Sequence, residues 1–228
     1  MIPSQPARAA ADAALPQGLL FVATDVDPAD DADFNRWYDR EHVAERVRIP
    51  GFLSGARYVS LEGGRRYLGL YLTASLAVFG SAGYRAAFER QTPWSLANLD
   101  RMRDPMRRVC AVRAVTGMGS GSHAVVLPLA PGGDVEALAR EAARIGDELA
   151  RAAGFVRSFL LVPDVALSTP LPRESTEGRV LRPMLVIETS GAEAAHGARA
   201  SAASAFDVDA ATGWLLALGW KLSAAELG

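Results

Sequence analysis

The sequence is poor in the residue types that most often build disulfides and metal sites. Its 228 residues include three histidines and a single cysteine, Cys110. One cysteine excludes a disulfide within the chain and argues against a zinc site built on cysteines. The surrounding run, RRVCAVRAV, predicts a strand, so we interpret Cys110 as a buried strand residue.

Other absences narrow the range of partners. No apolar run reaches about 18 residues, so we expect no transmembrane helix and no membrane partner. The formal net charge is −2 and no run is rich in lysine or arginine, which gives no reason to expect nucleic acid. Residues 1–17 lack the compact apolar stretch of a signal peptide. We interpret them as a flexible tail on a cytoplasmic protein.

The predicted elements occur in the same order twice. Alternating and periodic apolar runs predict βαββαβ in residues 18–115 and again in residues 123–228. Residues 116–122, TGMGSGS, form a predicted linker between the two units, and their glycines lack the lysine of a phosphate-binding loop. Half of the chain is apolar, which is enough for a full core. We infer an α+β protein that arose by tandem duplication of its architecture.

The stretch DFNRWYDREHVAERVRIPGF, residues 33–52, concentrates the chemistry of the chain. Asp33 is a suitable N-cap for a helix, and Pro50-Gly51 is a strong stop signal. At about 100° per residue, one helix face is predicted to be aromatic and acidic, and the other polar. The predicted face carries Phe34, Trp37, Tyr38, Glu41 and Glu45, with His42 and Ile49 at its edge. Val43, Arg46 and Val47 are assigned to the remaining surface.

A carboxylate among aromatic rings loses water, which favours its neutral form unless a cation or a donor compensates. Glu41 is therefore a candidate proton donor or acceptor, with His42 beside it as the titrating partner. Two alternatives stay open. Glu41 or Glu45 forms an ion pair with an arginine, or His42 is a structural histidine with satisfied hydrogen bonds.

The motif W-Y-x-x-E-H on an amphipathic helix, followed by I-P-G-F and a strand, resembles the EthD-like members of the dimeric α/β-barrel superfamily. The matching residues are Trp37, Tyr38, Glu41, His42, Ile49, Pro50, Gly51 and Phe52. The resemblance covers about residues 18–115. It implies a ferredoxin-like unit whose sheet pairs with a second sheet to enclose a pocket, with the helix histidine as a pocket residue. Two tandem ferredoxin-like βαββαβ units would then form an intrachain dimeric α/β-barrel.

The second unit lacks this motif, because its matching helix reads VEALAREAARIGDELARA. We therefore expect only one of the two equivalent sites to be functional. In the strand at residues 65–74, leucines alternate with Tyr67 and Tyr71. We predict that the leucines pack beneath the helices and that both tyrosines face the barrel interior, together with Tyr58.

Two polar segments have open interpretations. The arginines at 101, 103, 107 and 108 either hold an anionic substrate or form a solvated rim and pair with acids. The loop at residues 168–179 is either a mobile lid or disordered.

The leading functional hypothesis is a cofactor-independent enzyme that acts by acid/base chemistry on a small apolar or aromatic, oxygen-bearing molecule. The resemblance implies a lyase, decarboxylase, cyclase, isomerase or oxygenase step. In this hypothesis His42 moves a proton, Glu41 orients or shares it, and tyrosines donate hydrogen bonds to an enolate or phenolate. The predicted catalytic residues are His42, Glu41 and Tyr38, and the predicted substrate-binding residues are Phe34, Trp37, Tyr58, Tyr67, Tyr71 and Trp94.

Two alternatives remain. One is a haem or metal enzyme of the same superfamily, although the chain lacks the G-x-x-D-G motif of its dye-decolourising peroxidases; Asp39, His42 and Glu45 are the candidate metal ligands. The other is a non-catalytic binding protein that uses the same pocket. We expect no cofactor, a small-molecule substrate as the partner, and leave a homodimer open.

Overall fold

The computed structural model describes residues 16–227, so residues 1–15 of the predicted tail lie outside the described residues. The strands are β1 (Gly18–Asp25), β2 (Phe52–Glu62), β3 (Tyr67–Thr73), β4 (Arg103–Gly117), β5 (His123–Pro128), β6 (Phe155–Pro163), β7 (Met184–Thr189) and β8 (Trp214–Ser223). The helices other than the first are α2 (Ala82–Glu89), α3 (Pro93–Asp100), α4 (Val135–Leu149) and α5 (Ala192–Ala205). Short 3₁₀ turns occupy Leu76–Gly80, Ala210–Thr212 and Ala224–Leu227. None of the described helices has the length and apolar character needed to cross a membrane.

The first helix, α1, changes its winding part-way. It is α-helical over Asp31–Trp37, π-helical over Tyr38–His42 and α-helical again over Val43–Val47. The helix begins two residues before the predicted cap, so the prediction of Asp33 as N-cap is wrong. It ends before Pro50-Gly51 as predicted, and Gly51 has a φ of 92°, a backbone conformation that glycine adopts most readily.

All eight strands form one closed antiparallel barrel in the order β1-β3-β2-β8-β5-β7-β6-β4. Each βαββαβ run supplies four neighbouring strands, and the edges join where β2 pairs with β8 and β4 pairs with β6. The predicted α+β architecture with an intrachain antiparallel barrel is confirmed. One core inside the barrel contains side chains from both runs, while the domain boundary at residues 116–122 stays a prediction.

The barrel interior is packed with side chains, and its composition reverses one prediction. Leu68 and Leu70 point inward and pack with Phe21, Phe159 and Trp214. Tyr67 and Tyr71 point outward and pack against α1. Strand alternation fixes which residues share a face, but leucine and tyrosine are both apolar enough for either core. The prediction that the two tyrosines face the interior is therefore wrong.

Candidate functional site

A mainly apolar cavity beside helix α1 lies outside the barrel. A cavity of about 400 Å³ separates the outer face of the sheet from the helices of the first βαββαβ run. Its lining is mainly apolar, as is usual for sites that bind small molecules. The lining residues are Leu20, Val22, His42, Arg46, Tyr71, Phe88, Gln91, Leu96, Leu99, Asp100, Met102, Pro105, Arg107, Leu171, Pro172 and Arg173.

The π-helical turn determines which part of α1 faces this cavity. The Val43 N–H donates to the Tyr38 carbonyl, five residues back, instead of the usual four. The extra residue rotates everything after it relative to an unbroken α-helix, and such turns are frequent at functional sites. The buried face therefore passes from Phe34, Trp37 and Tyr38 to the residues His42, Val43, Arg46 and Val47. The prediction that Val43, Arg46 and Val47 lie on the outer surface is wrong.

His42 is 7% exposed and lies among aromatic rings. Its ring centroid is 4.2 Å from that of Trp37 and 5.1 Å from that of Tyr38, and Tyr71 meets it edge-on at 6.1 Å. Burial, reinforced by the charge of Arg46, holds the pKa of His42 well below its usual value. Its Nδ1 is buried and has no hydrogen-bond partner within residues 16–227. His42 is thus a neutral imidazole at the wall of the cavity, able to accept a proton.

Tyr71 adds a buried hydroxyl to the same wall. The residue is 1% exposed, and its hydroxyl lies next to that of Tyr38, so that a hydrogen bond between the two influences the pKa values of both phenols. Burial and the neighbouring Tyr38 raise the pKa of Tyr71, so its hydroxyl stays protonated and can donate. Tyr38 packs behind both residues, and burial raises its pKa to about 12.

Glu41 does not meet His42. Its Oε1 accepts from the Thr92 hydroxyl at 2.5 Å and from the Ser95 hydroxyl at 2.9 Å. Ser95 in turn accepts from the Trp37 indole N–H at 3.0 Å. The carboxylate therefore ties α1 to the first turn of α3 instead of contacting His42 as expected, and its part in catalysis stays a prediction. The π-helical turn separates the two side chains, which an unbroken helix places on adjoining faces.

The remaining predicted site residues divide between core and surface contacts. Phe34 and Trp37 are fully buried on the inner face of α1, where they pack the helix against its neighbours. Tyr67 donates to Asp31 at 3.0 Å and is held by Asn35 and Arg66. Tyr58 lies inside the barrel, at a small cavity of about 50 Å³, and Trp94 is half-buried with its indole N–H on Asp33. None of these five residues lines the 400 Å³ cavity.

Arg46 is the most important cavity residue that sequence reasoning missed. It is 4% exposed, and its guanidinium lies 4.9 Å from the centroid of the Phe88 ring. Its Nη1 has no hydrogen-bond partner among the residues described. The signal was the i, i+4 spacing of His42 and Arg46, which places two helical residues side by side.

A segment of the second run, residues 168–179, covers one side of the cavity. We call this segment the strap. Leu171, Pro172 and Arg173 contribute to the wall. Arg107 fixes the start of the strap by donating to the Leu167 and Thr169 carbonyls at 2.8 and 3.0 Å. Three residues of the strap thus lie over the cavity, and whether the strap moves as a lid stays a prediction.

Three of the four arginines at 101, 103, 107 and 108 pair with acids, as the second of the two interpretations expected, and Arg107 binds backbone carbonyls instead. Arg101 meets Asp30 and Asp33, and Arg103 meets Asp27. Arg108 pairs with Glu174. A more open cleft of about 410 Å³ is lined by four arginines, of which Arg65, Arg108 and Arg179 form ion pairs. Their partners are Asp104 and Glu174.

The structure does not support a metal or haem ligand at His42. Asp39 is bound by Arg57 at 2.9 Å, and residues 16–227 contain no group of three or more candidate metal ligands. A histidine that binds metal usually donates its other ring N–H to an acceptor. The Nδ1 of His42 faces no acceptor in the described residues, and the nearest charge is the cation of Arg46. These residues do not fit haem iron.

Comparison with known proteins tests the fold. The chain matches no family model and no curated protein. Among solved structures it is similar to an anthrone oxidase-like protein, with a TM-score of 0.63, 12% identity, and coverage of 92% of this chain and 93% of that one. The chain has the dimeric α/β-barrel fold.

Two further structures with this fold agree. A protein from Fusobacterium nucleatum subsp. nucleatum, provisionally named a monooxygenase, has a TM-score of 0.59 and 10% identity, over 92% of this chain and 95% of that one. A protein provisionally named a chlorite dismutase has a TM-score of 0.55 and 11% identity, over 93% of this chain and 97% of that one. At these identities the dimeric α/β-barrel likeness shows the fold alone.

The buried His42 predicts a pH dependence of stability. The pKa of His42 is lowered in the folded protein. Below about pH 6.5, therefore, the unfolded chain binds a proton at His42 and the folded chain does not. This contribution to stability is complete above about pH 6.5 and is lost as the pH falls, by at most about 1.4 kcal/mol per pH unit. Urea unfolding at several pH values should show this loss in the wild type. The loss should be smaller in His42→Gln, and identical pH dependence in the two proteins would contradict the prediction.

Proposed function

We propose that this protein is an enzyme of the EthD-like type that acts by acid/base chemistry on a small apolar or aromatic, oxygen-bearing molecule. The observation that carries the proposal is the neutral, buried imidazole of His42 at the wall of an apolar cavity of about 400 Å³. A neutral imidazole shielded from water can act as a general base, and since its low pKa makes it a weak base it suits an acidic C–H or O–H of a bound ligand.

The roles follow from the contacts at the cavity wall. His42 takes the proton, because its Nδ1 is unpartnered among the described residues and its pKa leaves it neutral at physiological pH. The Tyr71 hydroxyl is protonated and lies beside the Tyr38 hydroxyl, and it donates a hydrogen bond to the oxygen on which negative charge develops. Trp37 and Tyr38 hold the imidazole ring by packing against it.

The names of two structural neighbours agree with this class of substrate. One is called anthrone oxidase-like and another is provisionally called a monooxygenase. The step we propose, removal of a proton to give an enolate or phenolate, needs only the side chains named above. It is compatible with a lyase, isomerase or oxygenase outcome.

The decisive experiment asks whether a bound molecule is chemically changed. Small molecules that co-purify with the protein are identified by mass spectrometry, and each is then incubated with fresh protein in D₂O. We expect one of them to gain deuterium at an acidic carbon or to be converted to product. Tight binding with every ligand returned unchanged and unlabelled would instead indicate the non-catalytic binding protein.

A further inference from the structure

The guanidinium of Arg46 is a buried cation without a protein counter-ion. The residue is 4% exposed and lines the cavity, and Nη1 has no hydrogen-bond partner within the described residues. Within that same part of the chain no carboxylate lies within ion-pair distance of it. Burying an unpaired charge is unfavourable in general. A folded protein that keeps such a group has a use for the charge.

The elements around Arg46 do not neutralise it. On its own helix, His42 is neutral. The carboxyl group of Glu45, the preceding residue, is close enough for the charge of Arg46 to act on its pKa, but burial outweighs that effect and raises the pKa of Glu45, and the two side chains form no ion pair in the described chain. From β3 the cavity receives the protonated Tyr71, and from α2 the uncharged ring of Phe88. The packing around the guanidinium is therefore aromatic.

The other charged groups that line the cavity add positive charge on balance. Arg107 of β4 donates hydrogen bonds to the Leu167 and Thr169 carbonyls and to the Tyr84 hydroxyl, the last at 3.1 Å. At the mouth, Asp100 of α3 pairs with Arg173 of the strap at 2.5 Å. The one lining carboxylate is thus already paired, which leaves the charge of Arg46 for a ligand.

We propose that the cavity binds its ligand as an oxygen anion, a phenolate or a carboxylate on an apolar or aromatic body, with the anionic oxygen paired to Arg46. The inference shares its cavity with the proposed function and narrows the substrate class to weak organic acids. Arginine suits this role because it stays charged and presents several donors in a fixed plane. Apolar walls strengthen the pairing by excluding water.

The test uses 4-nitrophenol, whose phenolate absorbs visible light and whose neutral form does not. Binding to the wild type should lower the apparent pKa of the probe, because the site favours the anion. Arg46→Lys keeps the charge and should retain a lowered probe pKa. Arg46→Met should abolish the shift and weaken phenolate binding at least tenfold, while binding of the uncharged analogue 4-nitroanisole changes less than threefold. Arg144→Met, which removes an exposed cation on α4 that does not line the cavity, is the matched control and should keep the shift.

Each outcome decides the proposal. If the wild type leaves the probe pKa unchanged, raises it or takes up no phenolate, the proposal is overturned, and this result needs no variant to fold. Retention of the lowered pKa in folded Arg46→Met overturns it as well. The same titration with His42→Gln separates the two proposals: anion binding that survives in a protein that converts nothing leaves this inference standing while the enzymatic one fails. If the protein converts its ligand but shows no preference for the phenolate, the enzymatic proposal stands and the anion-binding inference fails.

Discussion

Replacing His42 with glutamine is expected to lower kcat/KM by about 10²- to 10⁴-fold, the range typical for loss of a general acid or base. Glutamine is polar and of similar size but cannot accept a proton at neutral pH. The reaction to follow is conversion, or deuterium exchange, of the ligand identified with the wild type. Because the pKa of His42 is held low by burial and by Arg46, the acid limb of the wild-type kcat/KM profile should lie well below pH 6.5.

His196→Gln is the matched control for this substitution. His196 is 46% exposed on α5, in the second βαββαβ run, where it lies 3.6 Å from Glu62. Its replacement should leave kcat/KM within about twofold, a change too small to reflect loss of a general base. Circular dichroism and urea unfolding show whether each variant is folded. A folded His42→Gln protein with the wild-type rate would remove His42 from the mechanism.

Replacing Glu174 with alanine is expected to lower the free energy of unfolding by about 3 kcal/mol, because it leaves buried partners without a counter-charge. The Glu174 side chain is 4% exposed and pairs with Arg108, itself 7% exposed, and with Arg179 at 2.7 Å. It also accepts from the backbone N–H groups of Arg107 at 3.0 Å and Leu171 at 3.2 Å. One carboxylate thus joins β4 to the strap from the other half of the chain.

The charge state of Glu174 supports the size of this effect. Burial acts to raise its pKa, but hydrogen bonds from Arg179 and Arg108 outweigh burial and lower the pKa below its usual value. The control is Glu141→Ala on α4, which breaks an exposed pair with Arg144. Exposed pairs contribute about 1 kcal/mol or less. A Glu174→Ala protein no less stable to urea than Glu141→Ala would show that the strap is held by other contacts.

The sequence by itself determined the order of elements and the position of the chemistry. Period-2 runs and turn residues located the strands, and Pro50-Gly51 located the end of α1. The cluster from Trp37 to His42 pointed to the helix that carries the candidate base. These features are local, because strand alternation, caps and breakers act over a few neighbouring residues.

Tertiary structure decided what each of those residues faces. Alternation grouped Leu68 with Leu70 and Tyr67 with Tyr71, but either pair could fill a barrel, so the cavity was expected on the wrong side of the sheet. The π-helical turn departs from the regular 100° spacing that the sequence suggested. It places Arg46 at the cavity, while Glu41 of α1 hydrogen-bonds to the start of α3. That Arg46 lacks a counter-ion in the described chain, and that a strap from the second half covers the cavity, depend on contacts between distant residues. Such contacts exist only when the barrel has closed, which is why no local pattern could report them.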